Sequence, residues 1–225
     1  MLLVLSSCDG KKLDGSGNVI RQERKVTGEF TSVSAENGLT VVIEQSKQTS
    51  IMVEADDNLQ EHIKTEIKGG ELVLSSDVDI RNGSKIVIVN MPEIKNIESS
   101  GGASVTNNNT IKADNLTLDS GSGSSMTVTV NADFLKCESG SGSSLKVQGT
   151  ANKLEAESGS GSNIDARGLK AKKVIAEASS GSNLTVNPIE NLSAAASSGG
   201  TVYYVKTPNE LSKKVNSGGS VSQAN

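Results

Sequence analysis

The sequence predicts an all-β protein, a parallel β-helix or solenoid with Ser-Gly corners, entered through a β-rich N-terminal segment. Three observations lead there. Ser-Gly pairs recur at Ser100-Gly101, Ser120-Gly121, Ser139-Gly140, Ser158-Gly159, Ser180-Gly181, Ser198-Gly199 and Ser217-Gly218, at intervals of 20, 19, 19, 22, 18 and 19 residues. Runs with apolar or small residues at alternate positions flank these pairs, as a strand with one buried face requires. Aromatic residues are scarce, two Phe, two Tyr and no Trp in 225 residues against 23 Gly, which favours thin layers and many turns over a thick core.

Taken in order, residues 1–7 read as the remainder of an export signal. Leu5-Ser6-Ser7-Cys8 places an aliphatic and two small residues before a cysteine, a pattern that resembles the lipobox of bacterial lipoproteins. Cleavage before Cys8 would leave a diacylated N-terminus. Each buried methylene contributes about 0.8 kcal/mol, so several chains together hold a protein stably to a membrane. The alternative is a chance apolar N-terminus, supported by the missing basic region and the short apolar stretch, both of which an upstream start codon would also explain. No other stretch approaches the ~18 apolar residues that a spanning helix needs, so membrane contact is expected through the lipid. Residues 8–25 are polar and without period, the composition of a lipid attachment point and flexible tether.

Residues 26–92 carry β-branched runs bounded by turn residues: Thr40-Val41-Val42-Ile43-Glu44, Ser50-Ile51-Met52-Val53-Glu54, Glu71-Leu72-Val73-Leu74 and Lys85-Ile86-Val87-Ile88-Val89. Between them, Asp56 to Ile63 has acids at its start and Leu59 and Ile63 four apart, which predicts one short helix bearing an exposed His62.

Residues 93–225 form the repeat, continuous with the preceding segment as one domain. A unit of about 19 residues with two short strands cannot bury its apolar face alone, whereas stacked copies hydrogen-bonded at roughly 4.8 Å can. Leu116, Leu135, Leu154, Val174 and Leu192 are expected to form one internal ladder, and Met126, Leu145, Ile164, Leu184 and Val202 another. Glycine at the corners permits positive φ and serine bonds locally to backbone. Cys137, on the same side as Leu135, is expected to be a buried thiol acting as a small hydrophobe.

Several stretches are specific enough to carry a likeness: Phe30-Thr31-Ser32-Val33, Asn37-Gly38-Leu39-Thr40-Val41-Val42-Ile43, Val53-Glu54-Ala55-Asp56-Asp57-Asn58-Leu59 and Val89-Asn90-Met91-Pro92-Glu93-Ile94, followed by the Ser-Gly rungs. From about residue 26 onward the chain resembles the auto-transporter adhesin family with a head GIN domain, common in Bacteroidetes. The tripeptide of that name stands here as Gly38-Leu39-Thr40. The resemblance implies a right-handed solenoid on an exported, often lipid-anchored protein, and supplies no catalytic or binding residues to carry over.

Asp119, Glu138, Glu157 and Glu177 occupy one position of successive rungs. Like charges stacked this closely repel, so a weak cation row, neighbouring lysines such as Lys136 and Lys146, or water must relieve them. The corners lack the Gly-Gly-x-Gly-x-Asp pattern of calcium-binding rolls, and no Cys/His spacing suits zinc, so no metal site or cofactor is assigned. Carbohydrate-active β-helices work through clustered carboxylates, and the rungs offer only Asp165 and the acidic row. The serines follow corner geometry, with no base in a motif to activate them. With 22 Lys and Arg against 26 Asp and Glu and no basic stripe, nucleic acid is not an expected partner. Tyr203 is the one aromatic expected on an outer face, because Tyr204 points inward by alternation from Val202.

These features predict a non-catalytic exported lipoprotein acting as an adhesion or binding module at the cell envelope. It would be anchored to the outer membrane by lipid, face the periplasm or the exterior, and take a glycan or an envelope protein as ligand. The alternatives are a structural envelope protein without a soluble ligand and a carbohydrate-active β-helix enzyme.

Overall fold

A computed structural model describes residues 11–224. Cys8 and the export signal lie outside them. The strands stack in parallel into a β-solenoid of about seven turns. The expected ladders form as paired registers: Leu116, Leu135, Leu154, Val174 and Leu192 align from rung to rung, as do Met126, Leu145, Ile164, Leu184 and Val202. All ten side chains are buried.

The corners are two-residue turns with both central residues left-handed, the geometry that joins strands most tightly. In the second solenoid corner Ser122 has φ 51° and Gly123 φ 71°, and the Ser124 amide donates to the Gly121 carbonyl at 3.1 Å. Ser141, Ser160, Ser180, Ser198 and Ser217 repeat this, Gly101-Gly102 opens the series, and Asn37-Gly38 adds an eighth turn. Successive turns also bond to one another, from Gly38 N–H to the Gly101 carbonyl at 2.9 Å through to Gly199 N–H to the Ser217 carbonyl at 3.3 Å. The turn therefore falls on the second Ser-Gly pair of Gly121-Ser122-Gly123, Gly140-Ser141-Gly142 and Gly159-Ser160-Gly161, two residues beyond the pairs counted from sequence. Counted from the left-handed residues 101, 122, 141, 160, 180, 198 and 217, the intervals become 21, 19, 19, 20, 18 and 19, and the 22-residue outlier disappears. The extra residue of the 20-residue rung is taken up by a shift in register after Ala166, which turns Arg167 out to solvent.

The middle rungs are single bent strands, Ser125–Ser139, Ser144–Ser158 and Asn163–Ala178, rather than two separate ones. Between the two expected ladders runs a third narrow face, where Ala113, Ala132, Ala151, Ala171 and Pro188 align. Side chains this small let the strand bend twice around a thin interior. Gly149 allows one bend: its φ is 113°, and a Cβ there would lie 1.9 Å from the Val130 carbonyl oxygen.

At the N-terminal end the parallel rungs continue into Ser32–Ala35, Glu71–Ser76, Thr40–Gln45 and Lys85–Met91. Antiparallel strands then close the stack. Ser50–Asp56 pairs with Lys85–Met91, and Ile63–Lys68 folds back on Glu71–Ser76 through Gly69-Gly70. Two expectations change here. Residues 12–24 are not a free tether: Lys12–Asp14 pairs with Asp79–Asn82, and Val19–Arg24 pairs antiparallel with Ser50–Asp56. The buried Gln60 amide donates to the Ile20 carbonyl at 3.0 Å, and Arg24 donates to the Gln60 carbonyl at 2.7 Å. The short helix contracts to a single 3-10 turn, Asp57–Leu59, because Ile63 begins a strand.

The C-terminal end closes differently. The inward row Ile97, Leu118, Cys137, Ala156, Ala176, Ala194 ends at Lys213. Its ammonium folds across the last rung, 4.8 Å from the Tyr204 ring centroid and 3.0 Å from the Tyr204 hydroxyl.

Candidate functional site

The acidic row forms as the spacing predicts. Asp119 aligns with Glu138, Glu138 with Glu157, and Glu157 with Glu177. The structure adds a fifth member, Glu98, paired in register with Asp119. Its signal was the shared x-acid-Ser ending of Ile97-Glu98-Ser99 and Leu118-Asp119-Ser120, obscured by a rung whose strands are only four residues long. In the other direction the row runs out through Ala195 to Lys214. Asp119, Glu138, Glu157 and Glu177 line a shallow concavity of about 700 Å³ beside the serine corners.

Charge is unevenly relieved along the row. Lys136 reaches Glu138 at 3.0 Å, and this bond holds the lysine pKa above its ordinary value. Burial, then repulsion from Asp119, Glu71 and Glu36, raises the Glu98 pKa. Burial and then Glu138 raise that of Asp119, with Lys136 opposing. Lys146 gives no help, since it aligns with Asp165 on another face. Among the described residues no three His, Cys, Asp or Glu side chains converge in a way that could hold a metal ion.

The other candidates separate. Asp165 is engaged by the Arg167 guanidinium at 2.8 Å. His62 is not exposed on a helix: its side chain is largely covered in the turn before Ile63, with Nδ1 2.7 Å from Asp77. Bonds from Lys64 and then His62 hold the Asp77 carboxyl below its ordinary range. Buried corner serines bond to one another, Ser120 to Ser124 at 2.9 Å and Ser139 to Ser143 at 2.8 Å, and Ser162 donates to the Ser139 carbonyl at 2.6 Å. These hydroxyls satisfy the corner. Cys137 is fully buried with no cysteine partner among the described residues, and burial pushes its thiol pKa up, which makes it a core residue rather than a nucleophile. Asp56 is buried with Oδ2 lacking a hydrogen-bond partner among the described residues; that oxygen is wedged against the backbone of Gly15 and Gly83.

Two outward regions carry aromatic side chains. Tyr203 is 38% exposed on an outer face beside Thr185, Asn183 and Arg167, while Tyr204 is buried, as alternation predicts. The second region escaped the sequence reading. Phe134 follows a third-face strand segment and points out between Asn115 and Lys153, in a groove of about 770 Å³ where the N-terminal segment hands over to the solenoid.

Residues 29–208 match the family model described as "Putative auto-transporter adhesin, head GIN domain". The chain belongs to that family. The same fold is seen in crystal structures. A "putative adhesin" from Bacteroides fragilis NCTC 9343 superposes with a TM-score of 0.85 at 23% identity, over 94% of this chain and 100% of the other. One from Parabacteroides merdae ATCC 43184 gives 0.74 at 19%, over 96% and 100%. A "putative lipid binding protein" from Parabacteroides distasonis ATCC 8503 gives 0.71 at 20%, over 96% and 100%. A comparison with curated proteins returns no match. At these identities the likeness establishes the shared fold, and the head GIN family membership agrees with the resemblance seen in the sequence.

Proposed function

We propose that this head GIN domain protein is a non-catalytic adhesion or binding module, exported and held to the outer membrane through a lipid on Cys8. The observation that carries the reading is the rigid stack itself. Its outward rows repeat polar side chains at the rung spacing, while its buried corner serines, Asp165 and His62 are tied into separate structural contacts and Cys137 is buried in the core. A repeating surface suits recognition of an extended glycan or a protein edge. Family membership and the adhesin descriptions of similar structures support the same reading.

The test combines protease shaving of intact cells with mass spectrometry of the N-terminal peptide, and pull-down from envelope extracts with a glycan array. A diacylated Cys8 and a saturable envelope ligand are expected. An unmodified N-terminus would remove the anchor. Empty pull-downs and arrays would instead favour a structural envelope protein.

A further inference from the structure

We propose that the groove at the entrance to the solenoid binds a short neutral oligosaccharide, with one pyranose ring laid on Phe134. The proposal rests on the chain being a binding module and names the ligand class and the place.

The groove exists because the rungs change character there. From residue 111 to Pro188 the rungs run along the third face, but the preceding rung ends its strand at Asn107 and breaks into the polar segment 108–110. The strand segment Ile111–Ala113 is therefore left with a neighbouring strand on one side alone. On its other side Gln45 replaces the missing strand. The Lys112 amide donates to Gln45 Oε1 at 2.8 Å, and Gln45 Nε2 donates to the Lys112 carbonyl at 2.9 Å and the Pro92 carbonyl at 3.2 Å. A side chain held at both ends gives a floor that needs no ordering when a ligand arrives. Asn109 fixes the turn by a reciprocal pair with the Gln45 backbone, at 3.0 and 2.9 Å.

Phe134 stands beside this floor. Lys153 covers it from the next rung, 5.2 Å from the ring centroid, and is itself held by Glu155 at 2.6 Å. On the preceding rung its register partner is Asn115, a small side chain, so the ring stays partly open toward the groove. Polar groups surround the ring with bonding capacity to spare. The exposed side chains of Asp114 and Asn115 make no hydrogen bond among the described residues. Asp133 accepts one from Asn152 at 2.6 Å through Oδ1, leaving Oδ2. Asn131 accepts one from Thr150 at 3.2 Å, leaving its amide hydrogens.

An aromatic ring flanked by carboxylates and amides matches a sugar, whose C–H face is apolar and whose hydroxyls both donate and accept. The volume lies in the range of about 300–1,000 Å³ that suits small ligands. Charge points to a neutral one. Glu93 and Lys95 pair at 3.0 Å, and Lys112 opposes Asp114 and Asp133, so the groove has no strong field to draw phosphate or polycation.

Nitrogen-15 NMR of the whole chain, titrated separately with cellotriose, xylotriose, maltotriose and the N-acetylglucosamine trisaccharide, tests the proposal. At least one sugar at millimolar concentration is expected to shift the backbone amides of Asn115, Asn131 and Phe134. Phe134→Ala is expected to weaken that binding by about tenfold or more. Phe134→Leu, which keeps an apolar group at the position, and Asp114→Ala, on an exposed side chain, give the same direction if the alanine variant folds poorly. Tyr203→Ala serves as the control and should bind as the unaltered chain does. Shifts centred on Tyr203, or binding indifferent to both Phe134 and Asp114, would overturn the site while leaving the binding-module reading intact. No shift with any of the four sugars overturns the proposal, and the pull-down then decides separately whether the chain binds anything.

Discussion

Asp119 shows at the scale of one residue how the solenoid trades stability for a regular surface. Its carboxylate lies between Glu98 and Glu138, and its pKa is raised by burial and by Glu138. The folded state thus holds the proton more tightly than the unfolded chain does. The ionised form costs stability above the folded pKa, and that cost fades as pH falls through it and vanishes below the ordinary Asp value. Asp119→Asn should therefore raise the melting temperature at pH 7 by roughly 1–3 °C, a modest figure because the group is partly solvated. Thermal melts of both chains from pH 7 downward check this; the difference should close by about pH 3.5. A constant difference across that range would show that the asparagine acts through packing instead. Four members of the row were legible because they recur at nearly equal spacing, 19, 19 and 20 residues apart. Glu98 was not, since its four-residue strand shows too little alternation to fix a phase.

Among the elements, the last rung is the informative one. Glu210–Val215 is an edge strand, mostly exposed, of the kind that pairs readily with another chain. Its inward position carries Lys213 where the rungs beneath carry Leu118, Cys137 and three alanines. A charge pointing into the open end of a core makes further stacking unfavourable, because a second rung laid over it would bury the ammonium. Lys213→Val should leave the solenoid folded and give concentration-dependent dimers through the exposed end, measured by analytical ultracentrifugation at low and high protein concentration. A variant that stays monomeric at both would show that Lys213 is not what blunts the edge. Sequence periodicity gave no warning of this role, since Glu210-Leu211-Ser212-Lys213 continues the alternation with a polar residue where an apolar one is due. The same logic explains the misjudged tether. Val19–Arg24 covers the opposite end with no buried face of its own, so its bonds to Ser50–Asp56 leave no apolar period to read.

The whole molecule behaves as a stack in which each rung touches chiefly its neighbours, and stability should follow position along the axis. Rungs Ser125–Ser139, Ser144–Ser158 and Asn163–Ala178 have a long strand on each side, whereas Glu210–Val215 and Ser220–Gln223 have one neighbouring rung. Amide hydrogen exchange should be slowest in the three central rungs and faster by about an order of magnitude or more in the last. Uniform exchange rates along the chain would mean that the stack opens only as a unit. The architecture was readable from sequence because repetition reports itself. The groove at Phe134 was not, because it arises where repetition begins, from Gln45, Pro92 and Phe134, which are far apart in the chain.

The corners bear finally on chemical durability. Asn-Gly is the usual choice for a turn with two left-handed residues, and it ages by attack of the glycine nitrogen on the asparagine side chain. Serine has no carbonyl carbon to attack, so the six corners centred on Ser122, Ser141, Ser160, Ser180, Ser198 and Ser217 are closed to that reaction. Asn37-Gly38 is the single corner built the usual way, and its glycine amide is held 2.9 Å from the Gly101 carbonyl oxygen, away from the attacking role. Stacking the corners thus protects the one asparagine-glycine link among them.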